Sequence, residues 1–288
     1  MKNPICLITG ATEGVGKVTA LELAKKGFTI VVAARNANKV EALKTEIERS
    51  TGNTSCDYIV ADLGSLGQVR RLADTFRQRY SHLDVLINNA GVFLPMRTET
   101  EDGYETMLQV NYLSQFLLTN LLLDKLKRSE QGRIINLSSS VYAIGKFDPE
   151  NLQSEKKFSM LGTYAATKLF VVMFTEELAA RLKDTSVTAN AVHPGIVRTR
   201  MMLQAPGALR LVSYLSLPFS ISPFEGARTS VYLATSSELR GVSGQYFTKS
   251  KRAPVKNKFD TAENRALLWD LSSHAVTERA TTAARRAS

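Results

Sequence analysis

Cysteine and histidine are scarce in this chain: among 288 residues there are two of the first and three of the second. Cys6 and Cys56 fall in two different strand-like segments without metal-ligand spacing, so both read as reduced core residues, and neither a disulfide framework nor a metal site is implied. No apolar run approaches the ~20 residues that span a bilayer. The N-terminus offers no secretory pattern either, because Met1-Lys2-Asn3-Pro4 runs directly into Ile5-Cys6-Leu7-Ile8-Thr9. No membrane span is expected, and the cytoplasm is the expected compartment. Internal repeats are absent, as is any linker before residue 248. Acidic residues are in deficit, with 27 Asp and Glu against 37 Lys and Arg, a net charge of +10. Half of that excess is peripheral: residues 249–288 hold nine basic and four acidic side chains. A solvated basic tail, without a nucleic-acid partner, is the expectation.

What is present is an ordinary globular composition, 44% hydrophobic and 22% charged, in a chain long enough for one large domain. Short β-branched runs at 5–9, 29–34, 57–61, 84–88, 133–137 and 186–192 alternate with helical patterns. Helices are predicted at 15–26, 40–48, 66–80 and 104–126, with another beginning near Thr163. That rhythm predicts an α/β fold, a parallel sheet covered by helices on both faces. The 104–126 helix and the one near Thr163 are apolar on more than one side, which fits either deep burial or a partner subunit in a homodimer or homotetramer. One domain is predicted over residues 1–248, with a Met-, Leu- and Phe-rich lid at about 200–224. A basic extension over 249–271 contains a helix from 259, and a disordered tail covers 272–288.

Thr163-Tyr164-Ala165-Ala166-Thr167-Lys168 carries the chemistry. Tyr164 and Lys168 stand four apart, one helical turn on the same face, so a phenol lies beside an ammonium. A positive neighbour stabilises phenolate and makes the hydroxyl a better proton donor near neutrality. Directly after the first strand comes Thr9-Gly10-Ala11-Thr12-Glu13-Gly14-Val15-Gly16, then a helix. Strand, glycine turn and helix N-terminus together suit a pyrophosphate. Asp62-Leu63 and Asn88-Asn89-Ala90-Gly91 follow the third and fourth strands, and Arg35 closes the second. An Arg at that point accommodates a 2′-phosphate, where an acid would bond a ribose 2′-hydroxyl. Glu13, in the glycine loop, opposes the same phosphate.

With these residues placed, the chain resembles a short-chain dehydrogenase/reductase of the retinol-dehydrogenase-like branch over roughly residues 5–248. Thr9 through Gly16 matches the glycine motif of that family, Asn88 through Gly91 its structural motif, Asn111 its active-site asparagine, and Tyr164 with Lys168 its signature pair. Ser138-Ser139 matches the serine pair closing the fifth strand, and Pro194-Gly195 with Thr199 matches the segment at the nicotinamide end. Thr100-Glu101-Asp102-Gly103-Tyr104, Gln109 through Leu113, Val192-His193-Pro194-Gly195 and Ser222 through Ala227 point to the branch. The resemblance implies a single doubly wound Rossmann-type domain. It implies that Tyr164 transfers the proton, Lys168 lowers its pKa and binds the ribose, Ser139 bonds the substrate oxygen, and Asn111 holds a relay water. Ser138 and then Ser140 are the alternatives to Ser139. The cofactor contacts implied are Thr9, Gly10, Thr12, Glu13, Gly14, Val15, Gly16, Arg35, Asp62, Leu63, Asn89, Ala90, Gly91, Tyr164, Lys168, Pro194, Gly195, Val197 and Thr199.

The activity expected is therefore interconversion of an apolar aldehyde or ketone with its alcohol, using NADP(H) in preference to NAD(H). Reduction of an activated C=C bond and non-catalytic cofactor sensing are the rival readings. Tyr112 and Ser114 stand where branch members often carry His and Gly, so a different pocket floor is expected. Vertebrate members also commonly begin with a membrane-anchoring helix, and this chain shows no such run, so a retinoid is not specifically implied. His193, beside Pro194-Gly195, reads as a loop hydrogen-bonding residue and not as a base.

Overall fold

Side-chain alternation within the first strand decides the layering, because successive residues of a strand face opposite sides of the sheet. In β1 (Ile5–Thr9), Ile5 and Leu7 enter one core while Cys6 and Ile8 enter the other. The same division runs through β2 (Thr29–Ala34), with Val31 and Ala33 on one side and Ile30 and Val32 on the other. Both faces are dry, so the strands read as continuous apolar runs. In the computed structural model residues 3–197 and 220–287 are described, those from 278 by backbone alone.

β3 (Cys56–Val60), β4 (Val85–Asn88), β5 (Arg133–Leu137) and β6 (Thr188–His193) complete the predicted strands. Two short ones follow, β7 (Tyr246–Thr248) and β8 (Lys251–Ala253). The sheet order is β3-β2-β1-β4-β5-β6-β7-β8, parallel through β7 and antiparallel at β8. Strand order reverses between β1 and β4, and ligands of open α/β sheets bind beyond the carboxyl ends of the strands at such a point.

One face carries α1 (Gly14–Lys25), α2 (Ala37–Thr51) and, later in the chain, α7 (Pro223–Thr235). The other carries α3 (Leu66–Arg79), α5 (Ser114–Leu126), α6 (Met160–Arg181) and α8 (Ala262–Ala287). The predicted helix over 104–126 is interrupted: α4 (Thr106–Leu108) passes through a π-turn, Gln109–Leu113, before α5 begins. Ser114 N–H donates to the carbonyl of Gln109, five residues back, which inserts one extra residue at Asn111.

The C-terminal stretch corrects the expectation of disorder from residue 272. Leu268, Ser272 and Val276 repeat every fourth residue and are all buried, so α8 keeps one packed stripe past that point. Ser272 fits because its hydroxyl bonds the carbonyl of Leu268 and the buried Tyr112 hydroxyl, the latter at 2.7 Å. Composition alone hid this, since the stripe needs only one small polar residue to be satisfied. α8 also covers the apolar surplus of α5 and α6. The Trp269 ring lies 5.0 Å from Phe116 and 5.9 Å from Phe174, with the Arg181 guanidinium 4.2 Å above it. Arg265 pairs with both Glu176 and Asp260. No helix among the described residues is long and apolar enough to cross a membrane.

Candidate active site

The loops after β1 and β4 lie side by side at the switch point, and glycine makes their contact close. A Cβ on Gly10 would stand 2.9 Å from the Ala90 Cα, and one on Gly16 would stand 2.4 Å from Asn89 Nδ2. Gly14, at φ 58°, turns the chain into α1 through the left-handed region. Asn89 Nδ2 donates to the carbonyls of Thr9 and Gly10 at 2.8 and 2.9 Å, and the Thr9 hydroxyl accepts from the N–H groups of Asn89 and Ala90. These side chains, read from sequence as cofactor contacts, tie the two loops to each other. Thr12 is half-buried beside them, and Val15 sits in the core under α7.

At the start of α1 the N-cap residue, Glu13, makes no side-chain cap bond, and no acid occupies the first turn. The positive end of the helix dipole thus meets the glycine turn without a carboxylate on its first N–H groups, as a bound pyrophosphate requires. The Glu13 carboxylate is drawn aside onto Lys39 Nζ at 2.5 Å. Arg35 extends from the end of β2, its side chain 71% exposed and Nη1 4.0 Å from Asp62 Oδ2. Asp62 also accepts from Gly64 N–H, while Ser65 caps α3. The residues present fit a dinucleotide: an open helix N-terminus, a glycine turn and a largely exposed guanidinium at the end of the second strand.

The candidate reactive side chains come from α6 and the π-turn. Ser159 caps α6 and places Tyr164 in its second turn, where the ring meets Phe93 edge-on at 4.9 Å. Lys168, buried, sends Nζ to the carbonyl of Leu137 at 2.9 Å, and that nitrogen is 5.6 Å from the Tyr164 ring centre. Asn111 clamps the chain after β4: Oδ1 accepts from Val92 N–H, and Nδ2 donates to the Val92 carbonyl and to Thr167 Oγ1. Gly91 is the spacer between them, since its missing Cβ would lie 3.3 Å from Asn111 Oδ1 and 3.6 Å from Lys168 Nζ.

The three serines separate by partner. Ser138 is buried with its hydroxyl donated to the carbonyl of Lys168 at 2.8 Å. Ser139 is half-buried and caps the 3₁₀ turn Ser140–Ile144 by accepting from Val141 N–H, and Ser140 is exposed. Gly145, which sequence reading passed over, lets this turn touch α6: a Cβ there would stand 2.4 Å from the Ala165 carbonyl oxygen.

Charge behaves differently from expectation. The Lys168 ammonium does not draw the Tyr164 phenol down. Burial raises that phenol to about 12, and burial lowers Lys168 to about 8. Desolvation penalises whichever form is charged, and it is the cause of both shifts.

Beyond β6, Gly195 takes φ +98°, and a Cβ would meet Ile221 Cδ1 at 2.5 Å. Val197 bridges Ile221, which fixes the chain beside Pro194. Thr199 and the lid expected at about 200–224 lie outside the described residues, apart from 220–224. The altered pocket floor is corrected. Tyr112 points into the core toward α8, and Ser114 Oγ donates to the carbonyl of Leu63 at 2.5 Å. Among the described residues no group of three His, Cys, Asp or Glu forms a metal site.

A doubly wound sheet with this site at its switch point defines a class, and sequence comparison agrees with it. The chain belongs to the short-chain dehydrogenase/reductase family, whose short chain dehydrogenase model matches residues 4–207. It is similar to retinol dehydrogenase 12 of Homo sapiens, 41% identical over 94% of this chain and 86% of that protein. Retinol dehydrogenase 13 of Mus musculus is 40% identical over 94% and 83%. Among solved structures, an uncharacterized protein of Mycobacterium paratuberculosis superposes with a TM-score of 0.74 at 30% identity, over 95% of this chain and 93% of the other.

Proposed function

We propose that this protein interconverts an apolar aldehyde or ketone with its alcohol, with NADP(H) as the preferred cofactor and Tyr164 as the proton donor and acceptor. One observation carries the reading: Tyr164, Lys168, Asn111 and the serine turn gather beyond β4 and β5, beside the glycine turn. The nicotinamide, when bound, supplies or takes the hydride. Everything else falls to the chain. Tyr164, held near 12, keeps its proton at working pH and delivers it to the oxygen of a reduced carbonyl. Lys168, at about 8, is the neighbouring base that accepts and returns protons, and Asn111 fixes the loop beside it. Ser139 donates its hydroxyl to the substrate oxygen, because Ser138 is already bonded to Lys168. Arg35 reaches for the 2′-phosphate. The likeness to retinol dehydrogenases supports an apolar substrate.

The test is purified protein with NADPH and a panel of apolar aldehydes and ketones, retinal included, alongside enones and enals. Alcohol products are expected. Reduction confined to C=C bonds, or tight NADPH binding without turnover on any member, would overturn the reading.

A further inference from the structure

His193 is the last residue of β6, and its ring is half-buried against the serine turn. The β5–β6 ladder runs as backbone pairs up to Ser138, whose N–H donates to the Val192 carbonyl at 2.9 Å. There the chain leaves the sheet, and the next inward N–H, that of Ser140, has no strand carbonyl opposite. The His193 ring takes its place: Nδ1 accepts from Ser140 N–H at 3.2 Å. Ser139 is thereby held between two anchored peptide groups, in an extended conformation at φ −155° and ψ 153°. An accepting Nδ1 puts the ring proton on Nε2. Burial holds the ring down at about 4, so the acceptor persists across the working pH range.

We infer that His193 is a positioning residue for Ser139, carrying the sheet's hydrogen bonding one step past the last strand pair so that the serine hydroxyl faces the substrate oxygen. This rests on the proposed carbonyl chemistry. The ring touches no reacting atom. It acts by fixing the peptide that follows Ser139, where an error of a fraction of an ångström is amplified in the reaction rate.

Two substitutions remove the same bond from opposite ends. His193→Leu deletes the acceptor. Ser140→Pro deletes the donor and suits the backbone, since proline is tolerated at the first position of a helical turn and prefers an extended residue before it. Each is expected to lower kcat for carbonyl reduction about tenfold, the loss of one ordinary hydrogen bond, with the Kd for NADPH unchanged. In a Ser139→Ala background neither should lower kcat further, because the group being positioned is already gone. His193→Asn, whose amide oxygen can accept the same N–H, should recover most of the loss. Wild-type kcat in either variant overturns the inference, as do losses that multiply with Ser139→Ala. If His193→Leu fails to fold, Ser140→Pro decides alone. A wild-type protein inactive on the whole carbonyl panel overturns the proposed function and this inference together.

Discussion

The expected nucleotide end and the proposed proton-transfer end of the site are only strands apart, yet they are governed by different physics. Around Arg35 water has free access, since the guanidinium is mostly exposed, and the Glu13–Lys39 pair is likewise half in solvent. Charges there are cheap to rearrange, and each is worth little until a ligand arrives. Around Lys168 water is excluded, and burial moves both Tyr164 and Lys168 away from their ordinary pKa values. The difference teaches that turnover should be fragile at one end while cofactor choice is graded at the other.

The comparison breaks most readily at the dry end. Tyr164→Phe should keep the fold and NADPH binding and lower kcat by ~10²–10⁴-fold, the usual contribution of general acid catalysis. A variant with more than about a tenth of wild-type kcat, with chemistry rate-limiting, removes Tyr164 from the mechanism. Next is Lys168. Its folded pKa of about 8 lies below the 10.5 of a free lysine, so the unfolded chain binds more protons between those values. Stability from this group therefore rises with pH across that window, by on the order of 3 kcal/mol. Chemical unfolding at pH 7.5 and 9.5, chosen so that Tyr164 is still protonated, should show the rise in wild type and lose it in Lys168→Met.

Trp269→Ala tests the cover over α5 and α6 and should cost ~2–3 kcal/mol, less than a fully buried Trp because this one is partly exposed. Equal midpoints in urea would refute it. At the wet end, Arg35→Asp should lower the NADPH/NADH ratio of kcat/KM about tenfold, one charge-assisted bond discounted for exposure. An unchanged ratio, or a wild type that favours NADH, would sink the cofactor assignment. The smallest effect belongs to Glu13→Gln, which frees Lys39 and should raise the same ratio about two- to fivefold, the scale of an exposed ion pair. A fall in the ratio would show that the pair had served NADPH.

Much of this was legible because a buried parallel strand and a glycine turn each leave a local mark. β1, β2 and β5 have the predicted bounds. The hairpin of β7 and β8 left none: its strands have three residues each, and its turn uses Lys249 and Ser250 at φ 50° and 58°, where Asn-Gly is the usual signal. Ser250 N–H is held there by Thr229 Oγ1, a contact across twenty-one positions that no local pattern encodes. In the site, residue types were readable but their engagements were not. Thr9 and Asn89 are expected as ligand contacts, and the adjacent loop shows that they also tie the two loops together. The direction of the Tyr164 shift depends on desolvation, which exists only after the chain has closed around it. Gly145 carries no motif, and its necessity appears only when α6 lies 2.4 Å from where a Cβ would be.

The packing of α8 has a consequence for how the protein is made. α5 and α6 leave the ribosome with their aromatic face bare, and its cover begins at Ala262, after the whole stretch 182–261 has been synthesised. At ~5–20 residues per second that is roughly 4–16 seconds, long compared with hydrophobic collapse. Through that interval Phe116 and Phe174 lack the Trp269 ring that packs on both in the finished fold. Chaperone engagement is then a matter of timing, and a synthesis pause placed before residue 262 would lengthen the vulnerable period without changing one contact of the finished molecule.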